Sequence, residues 1–189
     1  MPTNEPADMH ILTDLQQIKA LADPLRQKIV GAFASQPRTT KQVAEMLGQP
    51  PTRLYHHVDL LEKLGLIRLV STKPKRGTTE KYFQAIAHRF AISENSLGGE
   101  GGMAVGDALA EAFESAQKEM RKAIEAGKSS GETPQAVMAL GAIRISPKNL
   151  LKLRERMLQI TDELDCGPSE EREFFRYLVA IYPSEDSTT

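Results

Sequence analysis

The sequence predicts an α+β fold in two parts, and three observations support this expectation. Short segments with apolar residues at helical spacing fill the chain up to Gly65. The pattern then changes to the branched and aromatic runs that are typical of strands. A glycine-rich segment, Ser93 to Gly102, separates these elements from a long amphipathic helix and a strand-helix-strand region.

Two helices are expected before Pro37. The first covers "ILTDLQQIKALA", in which one stripe is apolar: Ile11, Leu15, Ile18 and Ala22. The second begins at Pro24, because the side chain of Asp23 can cap free amides and proline suits the first helical position. Its buried face is expected to hold Leu25, Ile29, Val30 and Phe33.

Two more helices follow, joined by a tight turn. Thr39 and Gln42 have the spacing of a capping box at the start of the third helix, and Gly48 can end it in the left-handed conformation. Its buried side is expected to hold Val43, Met46 and Leu47. The fourth helix ends at Gly65 and has its apolar stripe at Leu54, Val58, Leu61 and Leu64. The pair predicts a helix-turn-helix.

The next segment predicts a β-hairpin. "LIRLVSTK" and "TTEKYFQAIA" read as strands, and "KPKRG" between them contains Pro74 and Gly77, which suit a hairpin loop. A helix-turn-helix followed by a basic hairpin is the pattern of a winged helix. We therefore expect a winged helix-turn-helix domain over residues 10–92, with a linker at Ser93 to Gly102.

A second domain is expected over residues 103–183. It begins with a long amphipathic helix, "GMAVGDALAEAFESAQKEMRKAIEAG". The rest reads as a strand, "AVMALGAIRIS", then a helix, "PKNLLKLRERMLQITDELDC", and a final strand, "EFFRYLVAIYP". We expect this region to mediate dimerisation, and binding of an effector is a second role that it could have.

Charge is unevenly distributed along the 189 residues, whose net charge is -1. Residues 1–90 carry 13 Lys and Arg against 8 Asp and Glu, whereas the remainder carries 11 against 17. A basic first half suits contact with a polyanion, although scattered surface charge explains the difference about as well. No apolar run approaches membrane-spanning length and the N-terminus lacks a signal peptide, so a cytoplasmic protein is expected.

Several kinds of chemistry have no support in the sequence. Cys166 is the only cysteine, which excludes an intramolecular disulfide and a thiolate metal cluster within one chain. The histidines lack the spacing of a zinc motif, "GGEGG" lacks the lysine of a phosphate-binding loop, and there is no nucleophile elbow. We expect no enzyme activity, no metal site and no cofactor.

The fourth helix carries the candidate base-reading residues. With Leu54, Val58 and Leu61 turned inward, its N-terminal half presents four side chains that can reach base edges or phosphates in a major groove: Thr52, Arg53, Tyr55 and His56. A solvated helix face is the simpler alternative. His57 lies beside the buried stripe and is expected to be a partly buried, hydrogen-bonded structural residue.

The hairpin carries the candidate phosphate contacts. From Lys63 to Lys81 there are six basic residues and one acid, Glu80. At the hairpin tip, Lys73, Lys75 and Arg76 are expected to touch DNA phosphates or enter a minor groove. A charged run is usually a solvated loop, but a basic tip directly after a helix-turn-helix favours DNA binding.

Four segments together resemble the winged-helix domain of ArsR-type (arsenical-resistance-repressor-like) bacterial transcriptional regulators. They are "LADPLRQKIV", "TTKQVAEMLG", "RLYHHVDLLEKLGLI" and "GTTEKYFQAIA", and the match covers about Leu12 to Ala87. The resemblance implies sequence-specific binding of double-stranded DNA, transcriptional control, a homodimer, and a recognition helix that carries Thr52, Arg53, Tyr55 and His56. Metal-sensing members have cysteines in the helix that here reads "TKQVAEMLG", so thiolate metal sensing is not implied.

The C-terminal part resembles the strand-helix-strand ends of larger winged-helix relatives, through "RISPKNLLKLRERM" and "FFRYLVAIYP". We expect the long helix to pair with its copy in a second chain through one apolar stripe: Leu109, Phe113, Met120 and Ile124. Packing of that stripe within the chain is the alternative. Two further alternatives are an effector pocket lined by Met157, Phe174 and Tyr177, and a winged helix that binds another protein instead of DNA.

Overall fold

The computed structural model describes residues 5–75, 77–97, 102–130, 144–164 and 180–181. It has the expected mixture of N-terminal helices, strands and later helices, so the predicted α+β class is confirmed. The elements in chain order are β1 Ala7–Leu12, α1 Leu15–Ala22, α2 Pro24–Ala34, β2 Arg38–Thr39, α3 Thr40–Met46, α4 Pro51–Lys63, β3 Ile67–Lys75, β4 Thr78–Ala85, β5 Ala87–Ile92, a 3-10 turn Glu94–Leu97, α5 Gly102–Ser130 and α6 Pro147–Leu164.

Aspartate side chains determine where α1 and α2 begin. Asp14 Oδ1 accepts a hydrogen bond from the Gln16 amide at 2.8 Å, and Asp23 Oδ1 accepts one from the Arg26 amide at 2.9 Å. The start of α2 at Pro24 is therefore as predicted. The expected start of the first helix at Ile11 is wrong, because Ile11 pairs with β5 as part of a strand.

The helix-turn-helix consists of α3 and α4. Thr39 Oγ1 accepts from the Gln42 amide at 3.2 Å, and Gln42 Oε1 accepts from the Thr39 amide at 2.9 Å, which confirms the capping box. Gly48 has a φ of 59° in the turn between the helices, a conformation that favours glycine. This turn allows α4 to leave in a new direction from a helix of only seven residues.

One residue of α3 differs from its predicted environment. Met46 is 48% exposed, whereas it was expected on the buried side. Thr40, Val43 and Ala44 are the buried residues of this helix. The centre of that face lies roughly 100° around the helix from Met46, so its side chain points toward solvent.

A three-stranded antiparallel sheet in the order β2-β4-β3 follows the helices. The short strand β2 was not expected from the sequence; it pairs Arg38 with Phe83 and Thr39 with Tyr82. The guanidinium of Arg38 is buried and donates to the Ala32 carbonyl, which fastens the end of α2 to this sheet. The register of β3 on β4 shifts between Leu69 and Ser71, as in a β-bulge.

A second, two-stranded sheet joins β1 to β5 in parallel, from Ala7 opposite Ala87 to Leu12 opposite Ile92. Neither strand was predicted from the sequence. Ile11 and Leu12 of β1 were expected to begin a helix, and β5 lies beyond the predicted hairpin. The Ser93 amide donates to the Leu12 carbonyl at 2.9 Å, and the 3-10 turn follows. The first half of the predicted linker is therefore ordered structure.

The chain divides into two compact units, Met1–Glu119 and Met120–Thr189. In the first unit, Ile29, Phe33, Leu54 and Leu61 lie at the centre of one core, each with no exposed surface. Two residues of α5 join the same core, each 2% exposed: Val105 and Ala108. Ala112 on the same helix is also buried, with 4% of its surface exposed. The division between the two units falls within α5, and the boundary at Ser93 to Gly102 stays a prediction from the sequence.

The second unit contains α6, which begins at Pro147 as predicted and ends at Leu164. Leu153 and Met157 are half-buried on this helix, whereas Leu150 is 38% and Ile160 is 51% exposed. The predicted strands "AVMALGAIRIS" and "EFFRYLVAIYP" lie mostly outside the described residues, as do Phe174 and Tyr177. Residues 144–146 and 180–181 are in neither a helix nor a strand.

Candidate nucleic-acid interface

The two faces of α4 have opposite environments. Leu54, Val58 and Leu61 have at most 1% of their surface exposed and fix the helix on the core. The four predicted base-reading residues all lie on the exposed face: Thr52, Arg53, Tyr55 and His56. Tyr55 is 44% exposed, which is a large fraction for an aromatic side chain. The arrangement offers hydrogen-bond donors and acceptors to a partner without disturbing the core.

Arg53 has a partner that was not expected from the sequence. Its guanidinium donates to Gln49 Oε1 at 2.8 Å, four residues earlier in the chain. Gln49 follows Gly48 in the turn between the helices, and its own amide donates to the Ala44 carbonyl at 2.9 Å. The turn therefore holds the acceptor that orients Arg53. Because Gln49 precedes α4, the i,i+4 rule for pairs on one helix does not predict this contact.

His57 is buried, with 9% of its surface exposed, and its ring lies 3.8 Å from the His56 ring between centroids. Burial lowers the pKa of His57, and the charge of His56 lowers it further. The expected hydrogen bond is absent at one nitrogen, since Nδ1 has no partner among the described residues. The prediction that His57 lies beside the buried stripe is confirmed, but the predicted hydrogen bond is not made by Nδ1.

The wing is formed by β3 and β4. Two of the predicted phosphate-contacting residues, Lys73 and Lys75, interact there with other side chains of the wing. The Lys73 ammonium lies 4.9 Å from the centroid of the Tyr82 ring, a cation–π contact. The Lys75 ammonium donates to Glu80 Oε1 at 2.7 Å, and the Thr78 hydroxyl donates to the Lys75 carbonyl at 2.9 Å. The third predicted contact, Arg76, lies outside the described residues.

The turn of the wing is tighter than predicted. The strands extend to Lys75 and Thr78, so only two residues connect them, and Pro74 is within β3 opposite Thr79. Gly77 has a φ of 82°, a backbone conformation that favours glycine. The strand pairing therefore continues as far as Lys75 and Thr78.

The predicted dimerisation residues have different environments. Leu109 is half-buried and packs against the core of the first unit. Phe113 is 43% and Met120 is 36% exposed, and Ile124 is half-buried. The apolar stripe of α5 is therefore covered at Leu109 and open at Phe113 and Met120.

No cluster of three or more His, Cys, Asp or Glu side chains able to hold a metal occurs among the residues that the structure covers. Within the same residues, no helix has the length and apolar content that crossing a membrane requires.

The comparisons with known proteins agree with the fold of this interface. The family model of the helix-turn-helix domain matches residues 21–70, from the end of α1 into β3. No curated protein matches the chain. Residues 21–70 therefore form a helix-turn-helix domain, the kind of domain that is typical of DNA-binding regulators.

Proposed function

We propose that this protein is a sequence-specific transcriptional regulator of the ArsR-like type that binds double-stranded DNA as a homodimer. One observation carries the proposal: the second helix of the helix-turn-helix presents Thr52, Arg53, Tyr55 and His56 to solvent while its opposite face is buried. A cationic wing follows it directly in the chain. Exposed polar and aromatic side chains at this position are what base reading needs.

In the proposed complex, α4 enters the major groove. Arg53 makes a bidentate contact with the acceptor atoms of guanine, and Tyr55, His56 and Thr52 reach neighbouring base edges or phosphates. Lys73, Lys75 and Arg76 contact phosphates beside the groove and supply affinity for any sequence. In this proposal, α4 supplies the sequence specificity and the wing supplies the sequence-independent affinity.

The homodimer is proposed to form through α5. Phe113 and Met120 leave large apolar side chains exposed on one stripe of this helix, and a second copy would cover them. Two linked units would read two half-sites, about 34 Å apart for one turn of DNA or at another spacing set by the dimer. We further propose that the protein acts in the cytoplasm by binding rather than by catalysis.

Selection from a library of random duplexes tests the proposal. We expect an enriched sequence motif, and an affinity that falls steeply as salt rises. A variant with alanine at all four exposed α4 positions should lose the motif and keep its circular dichroism spectrum. The matched control carries alanine at Glu111, Glu114 and Lys118, which are exposed on α5, and should retain the motif.

Two results would contradict the proposal: no enriched motif, or an affinity indifferent to salt. A protein partner that competes for the exposed face of α4, found together with no DNA enrichment, would favour the alternative of a protein-binding winged helix.

A further inference from the structure

One face of the wing carries a set of interacting polar side chains. Lys73 pairs with Glu80 and Lys75 pairs with Thr78, and residues opposite each other in an antiparallel pair share a face. Alternate residues of one strand also share a face, which adds Tyr82. The carboxylate of Glu80 passes its direct neighbour Lys73 and binds Lys75 diagonally, at 2.7 Å.

Glu80 lies among cations and a hydrogen-bond donor. The hydrogen bond from Lys75 has the largest effect and lowers the pKa of Glu80. Burial opposes it less strongly, and smaller effects of the Lys75 and Lys41 charges and of a hydrogen bond with Tyr82 lower the pKa further. The hydrogen bond between Lys75 and Glu80 also raises the pKa of Lys75. Both groups are therefore charged at neutral pH, and the pair is intact under the conditions in which DNA would bind.

The two partners differ in accessibility. The side chain of Lys75 is 65% exposed, whereas that of Glu80 is 23% exposed. The side chain of Lys75 is thus the more accessible of the two to a phosphate from solvent. The distance of 2.7 Å is what an ammonium makes with a charged oxygen acceptor, whether carboxylate or phosphate.

We propose, on the basis of the DNA-binding function proposed above, that the Glu80 carboxylate competes with a DNA phosphate for the ammonium group of Lys75. Before Lys75 can bind DNA, it has to exchange the carboxylate for a phosphate. After the exchange, the carboxylate lies near that phosphate and repels it. Glu80 therefore sets the affinity of the wing for duplexes of every sequence, and it reduces the number of phosphate contacts that respond to salt.

Glu80→Gln tests this role, because glutamine keeps the size of the side chain and removes its charge. We expect binding to tighten about two- to fivefold at moderate salt, the range that exposed ion pairs allow, for random and selected duplexes alike. The slope of log affinity against log salt should steepen by up to about 0.9, the value for one more phosphate contact. An unchanged thermal midpoint shows that the fold is retained.

Two further variants identify the cause. Glu111→Gln makes the same change in net charge at an exposed position of α5 and should leave affinity close to that of the parent. In a Lys75→Gln background, Glu80→Gln should have less effect than it has alone, because the cation it competes for is gone.

Three outcomes would overturn the inference. Weaker binding by Glu80→Gln would mean that the carboxylate orients Lys75 for DNA, and unchanged binding would mean that it does not compete with DNA for Lys75. An equal gain from Glu111→Gln, or an undiminished gain in the Lys75→Gln background, would mean that net charge alone acts. If the parent protein binds no duplex in a salt-dependent way, the proposed function itself fails, and that result is visible before any variant is compared.

Discussion

At the scale of single residues, neighbours on α4 have opposite roles. His56 is exposed and His57 is buried, because consecutive residues of a helix point about 100° apart. The buried side of this helix could be predicted from the sequence, because Leu54, Val58 and Leu61 form one apolar stripe. What the sequence did not indicate is the partner of each polar group, such as Gln49 for Arg53 and Glu80 for Lys75.

Arg53→Ala should relax base preference at one position of the selected motif. An arginine that bridges guanine acceptors contributes about 1–3 kcal/mol of discrimination, and alanine removes it. Selection from random duplexes measures the loss. Gln49→Ala should give a smaller loss at the same position, because Arg53 remains but is no longer oriented. Lys63→Ala, at the far end of α4, should leave the motif intact; a motif unaltered by Arg53→Ala would assign base reading elsewhere.

His57 should make the stability of the first unit depend on pH. Burial lowers its pKa in the folded state, so the unfolded state binds more protons below about pH 6.5, its ordinary pKa. The free energy of unfolding should therefore fall as pH drops from 7.5 through this range. His57→Gln should flatten that dependence, as measured by thermal midpoints at several pH values. An equally steep decline in the variant would mean that other groups cause it.

At the scale of elements, the caps were predictable and the long-range pairings were not. Asp23 with Pro24, and Thr39 with Gln42, define helix starts through contacts within three residues, which a sequence displays directly. Strand β1 was missed because Ile11 has helical spacing to Leu15, whereas its pairing partner lies in β5. Strand β2 has only two residues, so no alternation could reveal it.

Thr39→Ala should lower the free energy of unfolding by about 0.5–2 kcal/mol, because it removes the side-chain acceptor at the start of α3. Urea unfolding followed by circular dichroism measures the change. Thr52→Ala is the matched control: the same substitution at an exposed position of α4 should change stability by less than about 0.5 kcal/mol. Equal effects of the two changes would mean that the capping box contributes nothing beyond helix propensity.

At the scale of the whole molecule, α5 has two adjacent faces with different surroundings. Val105 and Ala108 are buried in the core of the first unit, so this unit includes residues beyond the predicted linker, and Ala112 is buried on the same side of the helix. Phe113 lies about 100° around the helix from Ala112 and is 43% exposed. Periodicity located the amphipathic helix but could not assign its partners, because small and large apolar residues occur on both faces.

The open face of α5 predicts the assembly state. Phe113→Glu should shift the protein from dimer to monomer in analytical ultracentrifugation, because a charge would replace a large apolar side chain at the proposed contact. The core should survive, since Phe113 is not among its buried residues. DNA with two half-sites should then be bound much more weakly, while a single half-site retains its affinity, because the two units are no longer linked.

Lys118→Gln is the control for this variant. It makes the same change of net charge about 140° around the helix from Phe113, at an exposed position, and should leave the protein dimeric. A parent protein that is monomeric at the concentrations where it binds two half-sites would contradict the proposed dimer. A Phe113→Glu protein that stays dimeric would assign the contact to another surface, since no well-packed interface accepts an unpaired carboxylate at its centre.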